Sequence, residues 1–403
     1  MKGLISIIVL MCVSVILTAQ TKTGQNKGKL HLPATYVDTQ LKDAVKQYKY
    51  MATRLNEPGR LPKTYYANKD SLETSGPEWW TSGFYPGTLL YLYEYAGDSV
   101  LKAEADKVLR ILEKEKDDKT THDLGFMLYC SFGNANRLQL SAHYKQILLT
   151  GAESLISRFN SKVGCIKSWD LVNSKWQFPV IIDNMMNLEF LNWASRESGD
   201  QKYINISKTH ANTTLKHHFR DDYSSYHVVD YDSISGEVRN RHTAQGARHE
   251  SAWARGQTWG LYGYTMMYRD TKDVTYLNQA IHIAEFILNH PNLPKDGIPY
   301  WDFNADNIPD AKRDASAAAI MASALLELQS YVNKEQQEKY LLAAEKMLKS
   351  LGSKNYKAEN GTNGGFILEH SVGHIPANFE IDVPLTYADY YYVEALMRYK
   401  ALL

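Results

Sequence analysis

The stretch Phe178-Pro179-Val180-Ile181-Ile182-Asp183-Asn184-Met185-Met186-Asn187-Leu188-Glu189-Phe190-Leu191-Asn192-Trp193-Ala194 is an apolar run with Asp183 set in its middle. Met185, Leu188, Leu191 and Ala194 recur at helical spacing, which predicts a helix with one buried face beginning near Asp183. Ionised carboxylates are rarely buried without a partner, so Asp183 needs a role. Two roles fit. It can cap the helix by accepting free backbone N–H groups of the first turn. It can also be a catalytic acid whose pKa an apolar pocket raises.

Outward from this run, helical periodicity dominates. Candidate helices fall at 36–55, 82–96, 98–117, 123–138, 141–159, 183–199, 201–217, 251–270, 273–289, 314–332, 334–351 and 383–402. Several neighbours share one pattern, in which a short polar turn leads into a helix opening with Tyr or Leu. Gly97-Asp98 before Leu101, Gly199-Asp200 before Tyr203, and Asp273 before Tyr276 are examples. A repeated αα-hairpin is the unit of helical toroids and solenoids. Twelve helices make six hairpins, so the expected fold is all-α, an (α/α)6 barrel formed by a single domain over residues 34–403. The long connections 64–82, 163–179, 223–250, 290–313 and 354–383 are rich in aromatic, Gly, Asp and His residues. Such loops on a helical scaffold carry function, and they are expected to form a cleft at one rim.

Composition narrows the partners. The 403 residues carry 45 basic and 45 acidic side chains, a balance that argues against nucleic acid or an anionic membrane surface. The 28 tyrosines and 8 tryptophans suit either core filling or platforms for sugar rings. Lys2, the apolar run 4–17 and Thr18-Ala19-Gln20 read as a signal peptide over residues 1–19, followed by a flexible lead-in over 20–33. Its removal leaves Cys130 and Cys165, too few for a disulfide framework. No cysteine or histidine spacing suggests a metal, and no cofactor is expected. The mature chain is expected to be exported, most simply to a periplasm.

Several further residues can carry chemistry. Asp123, in Thr121-His122-Asp123-Leu124-Gly125, is a second candidate acid or a second helix cap. The segment 223–259 is densest in polar groups, among them His227, Thr243 and Gln245, and ends in Trp253-Ala254-Arg255-Gly256-Gln257-Thr258-Trp259. Arg255 and Trp259 lie four apart on one expected helix face, where a guanidinium beside an indole can hold a sugar or simply pack. Trp80 and Trp169 sit in loops, as aromatic wall or as core.

Taken together, five ordered motifs resemble glycoside hydrolase family 88, the unsaturated glucuronyl hydrolases. They are Trp80-Thr81-Ser82-Gly83-Phe84-Tyr85-Pro86-Gly87, His122-Asp123-Leu124-Gly125-Phe126, Ile182-Asp183-Asn184-Met185-Met186-Asn187, the Trp253–Trp259 segment, and Arg313-Asp314-Ala315-Ser316-Ala317-Ala318-Ala319. The resemblance runs from about Tyr36 to the C-terminus and implies an (α/α)6 barrel with its site in the mouth. It implies removal of a 4-deoxy-4,5-unsaturated uronic acid from the non-reducing end of lyase-generated oligosaccharides, by hydration of the double bond. On this resemblance Asp183 is the general acid and base, and Asp123 the second carboxylate, holding substrate and tuning Asp183. His122, Trp80, Trp169, His227, Thr243, Gln245, Arg255 and Trp259 fall where that family lines its uronate subsite. His374, in the loop 360–378, is expected to meet the leaving sugar. The alternatives are a sister family acting on unsaturated rhamnogalacturonan fragments, a non-catalytic glycan-binding toroid, and an epimerase on the same scaffold.

Overall fold

The computed structural model describes residues 29–170 and 175–403. The expected signal peptide and residues 20–28 of the lead-in lie outside the described residues. The α-helices are α1 (Ala34–Arg54), α2 (Phe84–Ala96), α3 (Ser99–Leu112), α4 (Asn134–Leu138), α5 (Ala142–Ile156), α6 (Leu188–Ser198), α7 (Gln201–His217), α8 (Ala254–Thr271), α9 (Val274–Asn289), α10 (Ala315–Leu328), α11 (Lys334–Leu351) and α12 (Thr386–Leu402). A π-helical segment, Gly125–Gly133, runs directly into α4. It counts with α4 as one barrel helix.

Two concentric rings result. The inner ring comprises α2, the π segment, α6, α8, α10 and α12, and it closes where α12 packs on α2. Inner helices touch neighbours on all sides, so their sequences lack a polar face: every residue from Ala254 to Met267 of α8 is buried. Outer helices are amphipathic. In α3 only Leu101, Ala105, Val108, Leu109 and Leu112 are buried, the stripe expected of a helix lying on one layer.

The hairpin turns repeat a local code. Gly97 (φ 66°), Gly199 (φ 76°) and Lys272 (φ 59°) end α2, α6 and α8 in the left-handed conformation. In each case the next residue, Asp98, Asp200 or Asp273, caps the following outer helix by accepting the N–H two positions on. The polar turns seen in the sequence are therefore a C-cap joined to an N-cap.

The structure corrects the sequence reading in two respects. The helix expected over 183–199 is a 3-10 turn, Ile182–Asn187, followed by α6, and neither Asp183 nor Asp123 caps a helix. The long loops also contain strands: β1 (Leu61–Tyr66) pairs with β2 (Ser71–Ser75), and β3 (Phe159–Asn160) with β4 (Cys165–Ile166). β5 (Phe178–Ile181), β6 (Val228–Tyr231) and β7 (Val238–His242) form an antiparallel sheet, and β8 (Ser371–His374) pairs with β9 (Phe379–Val383). β5 is buried along its whole length, so it lacks the alternation that identifies a half-exposed strand.

Candidate active site

The loops enclose a cavity of about 510 Å³ at one mouth of the barrel. Trp80, Asp123, Trp169, Gln245, Arg255 and His374 line it, drawing together residues from across the sequence. His122, Asp183 and His227 lie against that lining. Their partners fix the protonation of each ring.

Asp183 sits in the 3-10 turn after β5, where the chain leaves the sheet for the inner ring. Burial raises its carboxyl to about 7. The Arg255 charge opposes that rise and the Asp123 charge adds to it. Oδ2 of Asp183 is buried without a protein partner, and His227 Nε2 lies 3.9 Å away. Asp123 is likewise raised to about 7 by burial, against the lowering effects of the Thr121 hydroxyl and Arg158. Burial thus brings both carboxyls into the range where a proton can be given up or taken near neutrality.

The histidines are neutral and oppositely oriented. His227 Nδ1 accepts the backbone N–H groups of Ala244 and Gln245, both at 3.1 Å, so its proton is on Nε2, toward Asp183. Burial holds its pKa well below the usual value. His122 Nδ1 donates to the Ser168 carbonyl at 2.8 Å, which leaves a bare Nε2 at 3.2 Å from Asp123 Oδ1. Its pKa falls to about 3, chiefly through burial.

Arg255 both lines the cavity and packs into the fold. Its guanidinium stacks on Trp253 at 4.5 Å and Tyr387 at 5.2 Å. It donates to the carbonyls of Val372 and Gly373 and to Asp314, so it clamps β8 while bringing charge to the cavity. Trp259 is fully buried, packed on Phe126 and Tyr391 behind the cavity wall. Thr243 also stands behind the wall: its hydroxyl accepts the Gly246 N–H at 2.7 Å and holds the loop that carries Gln245.

Sequence reasoning missed Tyr387, Glu380 and Trp176, which line the cavity together with Trp79, the other half of the Trp79-Trp80 pair. Tyr387 was hidden in the tyrosine-rich run Tyr387–Tyr392, and Glu380 belongs to no motif. Among the described residues, His122 Nε2, Asp183 Oδ2, His227 Nε2 and the Tyr387 hydroxyl are buried at or beside this cavity with no protein hydrogen bond of good geometry.

Six hairpins closed into a ring, with two buried carboxyls and aromatic walls at one mouth, form a site shaped for a sugar ring. No family model matches the chain. It is 50% identical to an unsaturated glucuronyl hydrolase of Formosa agariphila over 325 residues, 80% of each chain. The crystal structure of an unsaturated glucuronyl hydrolase specific for heparin is 52% identical, with a TM-score of 0.88 over 91% of this chain and 97% of that one. An Asp-to-Asn variant of the Streptococcus agalactiae unsaturated glucuronyl hydrolase, complexed with dGlcA-GalNAc6S, is 28% identical with a TM-score of 0.77, over 90% and 91% of the two chains. The chain belongs to the unsaturated glucuronyl hydrolases, glycoside hydrolase family 88.

Proposed function

We propose that Asp183 is the general acid and base of this hydrolase, acting on an oligosaccharide with a 4,5-unsaturated uronic acid at its non-reducing end. The protonated carboxyl delivers its proton to C4 of the vinyl ether, and positive charge develops over C5 and the ring oxygen. The resulting carboxylate then takes a proton from water as that water adds to C5. The hemiketal opens to a ketone at C5 and leaves a hemiacetal at C1, whose collapse to an aldehyde frees the neighbouring sugar. One water is consumed, and no second carboxylate attacks the anomeric carbon, in contrast to two-carboxylate glycosidases.

The observation that carries this reading is the Asp183 carboxyl raised to about 7 against a cavity with Arg255 in its wall. The Arg255 charge attracts the uronate carboxylate, and Trp80, Trp169 and Tyr387 supply ring surfaces. Asp123, whose Oδ1 is 3.2 Å from His122 Nε2, takes the sugar's hydroxyls and tunes Asp183. His227 presents its Nε2–H beside Asp183, and Gln245 and His374 meet the substrate from the opposite loops. Export to the periplasm, with residues 1–19 removed, suits an enzyme fed by polysaccharide lyases; N-terminal sequencing of the mature protein from a periplasmic fraction tests it.

The test of catalysis is loss of ultraviolet absorbance from lyase-made unsaturated disaccharides. The wild type is expected to bleach at least one of them. Asp183→Asn, which cannot donate the proton, should be slower by roughly 10²–10⁴-fold. A folded wild type that bleaches none, or an Asp183→Asn variant of undiminished rate, overturns the assignment.

A further inference from the structure

Away from Asp183 the cavity opens onto a rim that the proposed chemistry does not use. Trp79 and Phe379, each 37% exposed, flank Lys63, whose ammonium lies 5.2 Å and 5.6 Å from their ring centroids. Lys63 meets two carboxylates, Glu73 at 2.9 Å and Glu380 at 3.4 Å. Glu380 is 7% exposed and lines the cavity, as does the exposed Glu78. The cavity wall itself thus carries two carboxylates, Glu78 and Glu380, with Lys63 and Glu73 paired behind Glu380, and the buried Arg255 on the other side of Gly373.

The Glu380 carboxylate is held there by its backbone. Asn378 (φ 56°), Glu380 (φ 53°) and Asp382 (φ 60°) all adopt the left-handed conformation, which side-chain-bearing residues rarely occupy. Asp382 anchors this strand to His370 and Lys312, each at 2.7 Å. Beneath it, Gly373 leaves the necessary room: a Cβ there would come within 2.2 Å of Glu380 Oε2. The Gly373 carbonyl is also gripped by Arg255 and Gln245, at 2.9 Å and 3.1 Å. The segment is thus fixed from below by the uronate side of the cavity and from beside by an ion-paired strand.

We propose that Glu380 sets the charge preference for the leaving sugar, so that this enzyme takes an unsulfated, uncharged hexose or hexosamine there and rejects a sulfate turned toward the rim. The inference rests on the reading that the cavity binds an unsaturated uronate with its carboxylate toward Arg255. A disaccharide bound that way places anionic charge at the cationic end and its second ring beside Glu380, between Trp79 and Phe379. A hydroxyl or amide N–H on that ring gives the carboxylate a donor. A sulfate brings like charge into a confined space, the arrangement that suppresses wrong partners in charged interfaces.

The test compares kcat/KM on matched unsaturated disaccharides with and without a sulfate on the hexosamine, for wild type, Glu380→Gln and Lys63→Gln. The wild type should favour the unsulfated substrate by about ten-fold or more, a preference that shrinks as salt rises. Glu380→Gln should cut that preference several-fold, through a lower KM for the sulfated substrate, and Lys63→Gln should widen it. An equal preference in all three proteins, or a wild type that favours the sulfated substrate, overturns the proposal. Should Glu380→Gln fail to fold, Lys63→Gln and the wild-type salt series decide. Turnover of neither disaccharide would instead sink the underlying catalytic reading.

Discussion

His122 and Asp123 are adjacent in sequence, and their side chains meet, with Nε2 3.2 Å from Oδ1. Because His122 Nδ1 faces the Ser168 carbonyl, which can only accept, the neutral ring has a bare Nε2. A bare nitrogen beside a carboxyl oxygen is satisfied only when the carboxyl carries the proton. Burial is what raises Asp123 to about 7, against the lowering effects of the Thr121 hydroxyl and Arg158.

Replacing that acceptor with a donor should reverse the bias. In His122→Gln the amide can donate to the Asp123 carboxylate and favour its ionised form. Infrared titration of the carboxyl bands, assigned with Asp123→Asn, should show the Asp123 transition moving to lower pH. An unmoved transition would mean that burial alone sets the value.

The proposed role of Asp183 sets the expected pH profile. Its carboxyl must be protonated to act as the acid, so kcat/KM should be sustained below the folded-state value of about 7 and fall about ten-fold per unit above it. Because the like charge of Asp123 raises Asp183, the residual activity of Asp123→Asn should lose its alkaline limb at lower pH. Stability carries the matching sign: a carboxyl raised on folding destabilises the folded state progressively from about pH 4 to about pH 7, and fully above that. Asp183→Asn removes that cost, so at pH 8 its denaturation midpoint should exceed that of the wild type.

Asp389 is raised to about 7 by burial as Asp183 is, but its oxygens are taken up by the fold rather than turned to the cavity. Its two oxygens accept the N–H groups of Ile367 and Leu368, both at 2.9 Å, and the Tyr48 hydroxyl at 3.3 Å. It fastens the loop that precedes β8 onto inner helix α12. Asp389→Ala leaves three buried donors unsatisfied and should cost about 3–5 kcal/mol, measurable by denaturant unfolding.

Lys272 occupies the hairpin position that Gly97 and Gly199 fill elsewhere. Its left-handed backbone is partly offset by ammonium contacts to Tyr268 and Tyr331, at 5.4 Å and 5.3 Å. Lys272→Gly should therefore stabilise the protein by roughly 0.5–1 kcal/mol, read as a rise in thermal midpoint with activity unchanged.

The helical hairpins were legible because their signals are local. Periodicity, the left-handed cap and the following Asp are written within a few residues of one another, and six such units fill one closed ring. Asp183 and Asp123 were legible as candidates because a carboxylate in an apolar run must be accounted for. Their choice between cap and acid was not legible, since it turned on a 3-10 turn and on which side chains lie against them. Burial comes from β5, α6, α8 and their loops together, and burial is what moves a pKa. Arg255 and Trp259 show the same limit: four-residue spacing puts them on one helix face, but only the barrel lets the guanidinium line the cavity while it clamps β8, and encloses the indole. Glu380 was beyond sequence reading altogether. Nothing near it in the chain marks it, and it faces Lys63 only because β9 and β1 lie side by side in the finished mouth. The sequence by itself determined the ring of hairpins and singled out Asp183 and Asp123 as candidate acids. Only the tertiary structure decided which charges face each other across the cavity, because that depends on segments hundreds of residues apart.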